Sequence, residues 1–164
     1  MQINSSNLSI CEVSHQHLTS IYHLLENNGN WIKMGMREFP SYTKHLNYWN
    51  SYFINQEKNQ FVASINKNVI GLIGARVSIE NASAYIWLCV HSDYLGIGVG
   101  SRLLDFAKQF LVSNHVHKIY TSVSIYNQPS LQFFEVKNFC IINHLPIEFS
   151  EHNAANRRYL LKNI

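Results

Sequence analysis

Residues 94–104 read Tyr-Leu-Gly-Ile-Gly-Val-Gly-Ser-Arg-Leu-Leu, YLGIGVGSRLL in one-letter code. Gly96, Gly98 and Gly100 stand at alternate positions, in a chain with only seven glycines. Glycine loses more backbone freedom on folding than any other residue, so this spacing marks a place that needs bare backbone. A helical pattern follows: Leu103, Leu104, Phe106, Ala107, Phe110 and Leu111 share one face of Arg102–Val112. Bare backbone ahead of a helix N-terminus presents N–H donors, and the helix dipole favours an anion there. Ser101 adds a hydroxyl. Two readings stay open on spacing alone, a pyrophosphate cradle and a tight turn needing positive φ. Two others are excluded. A nucleotide P-loop needs GxxxxGK followed by Ser or Thr, and that lysine is missing. A dinucleotide fingerprint needs GxGxxG in a βαβ unit with an acid about 20 positions on. Here the spacing is GxGxG, and His117-Lys118 stands near that distance.

The elements around the stretch give a mixed α/β order. Ser9–Val13 is predicted as a strand, and Leu18, Ile21, Tyr22, Leu24 and Leu25 recur at helical spacing behind a Ser14 N-cap. Asn27-Asn28-Gly29-Asn30 breaks that helix, and Tyr42–Asn55 carries a second. Phe61–Ile65, Val69–Ile79 and Ala84–His91 read as strands of an antiparallel meander. Ala84–His91 is nearly all apolar, so it belongs centrally. Beyond the glycines come the Arg102–Val112 helix, a Lys118–Ile125 strand and a short helix opened by Pro129. Asn138 ends that helix, and Phe139–Phe149 and Arg158–Lys162 read as two final strands. Hairpin-connected strands before the glycines are wrong for a doubly wound parallel sheet.

Composition narrows the class. The 164 residues are 46% hydrophobic and 14% charged, which suits one globular domain spanning 1–164. The net charge of +3 is scattered, so no nucleic-acid partner is expected. Cys11, Cys89 and Cys140 are an odd, widely spaced set without a CxxC pair, which suits a reducing, cytoplasmic setting. The opening MQINSSNLSICEV has no basic head or long apolar run, so neither a secretory signal nor a membrane span is expected.

Two motifs then resemble one family. Val90–Leu104 (VHSDYLGIGVGSRLL) resembles the acetyl-coenzyme A motif of the GNAT superfamily of N-acetyltransferases. There a central strand ends in a Val-x-Pro-like step and runs into Arg/Gln-x-x-Gly-x-Gly/Ala and an amphipathic helix. Gly98 and Gly100 match the two small positions, Leu95 stands at the Arg/Gln position, and Ser92 replaces the common proline. Ser124–Phe139 (SIYNQPSLQFFEVKNF) resembles the family's Asn-x-x-Ala-x-x-Phe-Tyr-x-x-x-Gly-Phe segment. Asn127, Phe133 and Phe139 match, while Ser130, Phe134 and Asn138 stand for Ala, Tyr and Gly. Ile10–Val13 looks like the family's opening strand.

The resemblance implies a mostly antiparallel twisted sheet of about seven strands, splayed between the fourth and fifth and flanked by about four helices. It implies transfer of acetyl from acetyl-CoA to a primary amine by direct attack, in a monomer or homodimer. The pantetheine arm would lie between Ala84–His91 and Lys118–Ile125. Main-chain groups of Cys89 and Val90 would pair with it, and an N–H at that strand end would polarise the thioester carbonyl. N–H groups of Leu95, Gly96, Ile97, Gly98, Val99, Gly100 and Ser101 would hold the pyrophosphate. Asn127 would bond cofactor or backbone, or cap the following helix. Phe134 falls at the cofactor-binding position where relatives often use tyrosine to protonate the leaving thiolate.

Phenylalanine has no proton to give, which leaves the catalytic residues unassigned. Tyr126 and Tyr85 are the candidate acids, and His91, with Glu80 and Asp93 nearby, the candidate base. A glutamate used by some relatives would align with Ala84, so a water relay competes with all three. The rival function is a CoA-binding sensor that has lost the chemistry. No metal is expected: His15-x-His17 and His115-x-His117 lack further ligands, and Cys89 lies in a buried strand with no activating partner. Trp31, Phe39, Tyr42, Tyr48, Trp49 and Tyr52 crowd the region where the family builds its acceptor site, and most should be helix-packing residues. The acids of the first 60 residues, Glu12, Glu26, Glu38 and Glu57, are spread out. That favours a small amine or a peptide amine over a polycation.

Overall fold

The computed structural model describes residues 7–55 and 59–164. Its strands are β1 (Leu8–Glu12), β2 (Gln60–Ile65), β3 (Asn68–Ser78), β4 (Ser83–Val90), β5 (Lys118–Ser124), β6 (Cys140–Ile142) and β7 (Arg157–Asn163). Its helices are α1 (Leu18–Glu26), α2 (Asn30–Lys33), α3 (Tyr42–Ile54), α4 (Val99–Ser113) and α5 (Gln128–Val136). The hydrogen-bonded strand order of the seven-stranded sheet is β1-β2-β3-β4-β5-β7-β6. Pairs β1–β2, β2–β3, β5–β7 and β6–β7 are antiparallel, and β4–β5 is parallel. By contacts the chain forms two compact units made of interleaved segments, 1–74 with 88–107, and 75–87 with 108–164. No described helix is long and apolar enough to cross a membrane.

The first unit holds β1, β2 and most of β3. β1 pairs with β2 from Leu8↔Ile65 to Glu12↔Phe61, and a bulge between Ala63 and Ser64 shifts the β2–β3 register. Leu18, Ile21, Leu24 and Leu25 of α1 and Trp49 and Tyr52 of α3 close a core over Val62, Val69, Leu72 and Cys89. Their spacing is the 3.6-residue stripe read from the sequence. The aromatic cluster divides accordingly: Trp49 and Tyr52 are interior, Trp31 and Phe39 pack against the core, and Tyr42 and Tyr48 are exposed. Ser14 first caps a single 3-10 turn, His15–His17, in which its N–H donates to His17 Nδ1 at 3.0 Å. Ser41 caps α3, its Oγ accepting from Lys44 N–H at 3.3 Å.

In the second unit the parallel ladder covers Ser83↔Lys118, Ala84↔Ile119 and Tyr85↔Tyr120 only. One step on, the Thr121 hydroxyl donates to the Ile86 carbonyl at 2.9 Å. β5 pairs with β7 along its whole length, Lys118↔Asn163 to Ser124↔Arg157. Tyr85, Tyr120, Leu145 and Phe149 form the core of this face.

Three expectations need correction. The Phe139–Phe149 strand shrinks to Cys140–Ile142, after which Ile147–His152 forms a 3-10 helix that drives Phe149 to 0% exposure. Pro146 has no N–H for a ladder, and the Leu145 N–H is taken by Asn153 Oδ1 at 3.2 Å. The Asn27–Asn30 stretch, expected to break a helix, instead opens α2 at Asn30, one of five α-helices among the described residues. Asn28 (φ 46°) and Gly29 (φ 64°) turn the chain there without ending helical structure. Finally, α4 starts at Val99, ahead of Arg102, since the glycines lead into the first turn.

Two buried histidines link the first unit to pH. Burial pushes His17 and His45 below the ordinary histidine value of 6.5. His17 Nδ1 accepts from the Ser14 N–H, so protonation there breaks a bond, and His45 is bonded to the Leu18 carbonyl at 2.8 Å. Below the unfolded value the unfolded chain binds more protons than the folded one, so stability falls as pH drops through 6.5. Thermal melts between about pH 8 and about pH 5 should show that fall, and His45→Gln, which keeps a donor but cannot titrate, should make it shallower while His17 still contributes.

Candidate functional site

β4 ends in a sharp exit. The His91 N–H donates to the Ile70 carbonyl at 2.8 Å. Strand alternation turns the main chain of Cys89 the same way, toward β3, and turns the N–H and C=O of Val90 to the opposite edge. Ser92–Tyr94 then forms one 3-10 turn, with the Tyr94 N–H on the His91 carbonyl at 2.9 Å and the Asp93 N–H on His91 Nδ1 at 3.3 Å. The Leu95 N–H closes the turn on the Ser92 carbonyl at 3.3 Å.

The donors of the glycine segment therefore begin at Gly96. Gly96 (φ +74°) and Gly98 (φ +89°) are left-handed, a conformation L side chains rarely adopt. A Cβ on either would meet nothing within 4 Å, so the space beside them is open. The Arg102 N–H donates to the Gly98 carbonyl at 3.1 Å and is the first of the helical ladder. Among the described residues, the N–H groups of Gly96–Ser101 have no backbone partner outside α4. Those of Gly98–Ser101 are the four orphan donors of a helix start, and Gly96 and Ile97 precede them. The first turn of α4 holds no acidic residue to occupy them.

What seats this helix start is Gly71 on β3. A Cβ there would stand 2.7 Å from Leu103 Cδ1 and 3.2 Å from Val99 Cγ1. Val99 and Leu103 are buried at 1% and 0% exposure, and Phe106 meets Phe61 with ring centroids 5.1 Å apart. Val99 thus contributes its amide to the donor set and its side chain to the core.

The second motif lies in the other unit. Asn127 caps α5, its Oδ1 accepting from the Ser130 N–H at 3.3 Å, which leaves its Nδ2 as the available donor. Phe134 is 5% exposed between Phe133 and Phe139, at centroid distances of 5.1 and 5.0 Å. Asn138 (φ 61°) takes the left-handed conformation that glycine favours.

The catalytic candidates separate. Tyr126 is 76% exposed. Tyr85 is buried, with its hydroxyl 2.8 Å from Ser122 Oγ and its ring stacked on His152 at 4.0 Å. Arg157 Nε donates to the same Ser122 oxygen at 2.7 Å. His91 Nδ1 lies 3.9 Å from Asp93 Oδ2 at the surface. Burial pushes the Cys89 thiol up to about 12, so it is no thiolate nucleophile near neutral pH.

A model of the acetyltransferase (GNAT) family matches residues 19–139. The chain belongs to this family. GNAT enzymes are acetyl-CoA-dependent N-acetyltransferases. Solved structures give the same fold at low identity. An acetyltransferase from Streptococcus agalactiae superposes with a TM-score of 0.79 at 17% identity, covering 96% of this chain and 99% of that one. A spermidine N-acetyltransferase from Vibrio cholerae in complex with CoA and spermine gives 0.77 at 22%, covering 98% and 96%. A ribosomal-protein-alanine N-acetyltransferase from Brucella melitensis gives 0.75 at 14%, covering 95% and 99%.

For a GNAT chain the fit to the cofactor is direct. A bent run of free N–H groups, the Ser101 hydroxyl and a helix start without carboxylates suit a diphosphate. Sequence reasoning missed Gly71, although a lone glycine inside a strand signals close approach of another element. It also missed Asn27 and Asn30, whose side chains reach the exit of β4 and which read only as a helix breaker.

Two substitutions test the donor run. Gly98→Glu adds a charge but also forces an L residue to φ +89°, at a stability cost of about 1–3 kcal/mol. Ile97→Glu adds the charge alone, at an exposed position without positive φ. Calorimetric titration with CoA should show at least about a tenfold loss of affinity for Ile97→Glu and a larger one for Gly98→Glu. Unchanged affinity in Ile97→Glu would move the anion elsewhere.

Proposed function

We propose that this GNAT chain, acting as one catalytic domain, transfers acetyl from acetyl-CoA to a primary amine of a small molecule or peptide. Attack is direct, within a ternary complex. The observation that carries the reading is the N–H run of Gly96–Ser101, for which the described residues give no backbone partner outside α4, shaped by two left-handed glycines at a helix start. These amides would hold the pyrophosphate. The Val90 N–H, turned away from β3, would donate to the thioester oxygen as charge develops on it. Asn127 Nδ2 and the Phe134 ring would serve the cofactor through their places in the second motif. The CoA in the V. cholerae structure supports this choice of ligand.

In the step itself the amine nitrogen attacks the carbonyl carbon. A C–N bond forms, the C–S bond breaks, and the electron pair leaves on sulfur as the thiolate. The amine proton is passed to water, the relay that competes with His91, the candidate base beside the exit of β4. The scattered acids of the first 60 residues favour a small or peptide amine over a polyamine.

A specific observation keeps the sensor reading in play: Phe134 is buried among phenyl rings, so no acid stands at that position. Two measurements divide the readings. Acetyl-CoA at about 100 times its Kd should raise the melting temperature by the equivalent of about 2.7 kcal/mol, with no shift from NAD or ATP. Absence of any shift at millimolar acetyl-CoA sinks enzyme and sensor together. Thiol release over an amine panel should then show turnover, with α-amino peptides ahead of polyamines; silence across the panel favours the sensor.

Phe134→Tyr offers a separate check. Its hydroxyl enters a buried site, so the melting temperature should fall by the equivalent of about 1–3 kcal/mol. Turnover per folded molecule should equal or exceed that of the parent. A loss beyond about tenfold, or about 1.4 kcal/mol in the barrier, would give the bare ring a role of its own.

A further inference from the structure

The turn between α1 and α2 reaches the exit of β4 with two amide side chains. Asn30 is 4% exposed, and its Nδ2 donates to the Leu24 carbonyl at 2.9 Å and to the Val90 carbonyl at 3.3 Å. Asn27 Oδ1 accepts from the Ser92 N–H at 2.9 Å. The left-handed pair Asn28 and Gly29 brings both side chains to the same short stretch of chain.

Counting polar groups shows how complete the hold is. The Val90–His91 peptide has its carbonyl on Asn30 and its N–H on Ile70. The His91–Ser92 peptide has its carbonyl on the Tyr94 N–H and its N–H on Asn27. Both consecutive peptides are thus fixed at both ends, at the entry to the 3-10 turn that leads through Leu95 to the donors of Gly96–Ser101. A run with two left-handed glycines cannot set its own direction, because glycine restrains φ and ψ least. The aim of its N–H groups is decided at the stem.

We infer that Asn27 and Asn30 are positioning residues for acetyl-CoA, fixing the two peptides from which the donor run departs. This rests on the reading of Val90–Ser101 as the cofactor-binding run. Neither side chain touches the cofactor; each acts through main chain. Preorganised donors bind an anion without the entropy cost of ordering them, so loosening the stem should weaken affinity more than it harms the fold.

Ser92 supplies the control. It is the first residue of the 3-10 turn, and His91 before it is extended (φ −59°, ψ 139°). That is where proline is tolerated, both for its fixed φ and for the residue ahead of it. A proline at this position has no N–H, so Asn27 would have nothing to accept.

The experiment measures the Kd of acetyl-CoA by calorimetry, with the melting temperature of the unliganded protein, for five chains. These are the parent, Asn27→Ala, Asn27→Asp, Ser92→Pro, and Asn27→Ala combined with Ser92→Pro. Asn27→Ala should weaken binding roughly tenfold by orphaning the Ser92 N–H. Asn27→Asp keeps the acceptor and should stay within about twofold of the parent. In the Ser92→Pro background, Asn27→Ala should cost less than about twofold. The inference is overturned if Asn27→Ala lowers only the melting temperature, or if its affinity penalty is the same in both backgrounds. A parent chain that fails to bind acetyl-CoA overturns the cofactor reading and this inference together, whereas parent binding with indifferent variants overturns the inference alone.

Discussion

The missing side chain of Gly71 governs how the donor run meets the sheet. Leu103 and Val99 fill the space a Cβ would need, so the first turn of α4 lies directly on β3. The contact removes both side chains from water, worth about 1.5–3 kcal/mol each. It also fixes where the helix must start. The chain leaving β4 has only the residues from His91 to Gly98 in which to reverse and deliver Val99 to that spot. Within that reversal Gly96 and Gly98 sit at positive φ, a conformation that glycine adopts without a steric penalty. The open N–H groups are a by-product of this geometry that an anion can use.

The donors that this run offers are almost wholly main chain. Leu95, 58% exposed, brings no charge. Bonds from neutral amides to a charged group contribute about 1.5–3 kcal/mol each when their direction is fixed in advance. Direction is therefore the scarce quantity in this site. Asn30 and Asn27 hold the main chain of Val90 and Ser92 at the stem of that run.

Most of the fold was legible because its signals are periodic. The helical stripes of α1 and α4 and the buried run of β4 announced themselves, and two motifs in order carried the family. The unreadable parts are those where one polar atom decides. Whether Asn27-Asn28-Gly29-Asn30 ends a helix or bends it depends on where two amides find carbonyl and N–H partners far along the chain. Likewise Phe139–Phe149 has strand composition, but Pro146 and the Asn153 bond to Leu145 stop the ladder after Ile142. Gly71 looked like an ordinary strand glycine because its partner helix lies nearly thirty residues downstream. The donor run was legible as glycine spacing, while its free amides became visible only with the helical ladder in place.

The catalytic residues were not legible, and the chemistry suggests why none is conspicuous. A thiol with a pKa near 8.5 leaves as thiolate at a cost of only about 2 kcal/mol at pH 7, so replacing tyrosine by Phe134 is tolerable. Tyr85 is committed elsewhere, its hydroxyl to Ser122 and its ring to His152, while Arg157 holds Ser122 in place. The costlier proton is the one on the acceptor. An alkylammonium near pKa 10.4 needs about 4.6 kcal/mol to reach its neutral, attacking form at pH 7, against about 1 kcal/mol for an α-ammonium near 7.8. Whatever group takes that proton at pH 7 therefore faces about 3.5 kcal/mol more for an alkylammonium than for an α-ammonium.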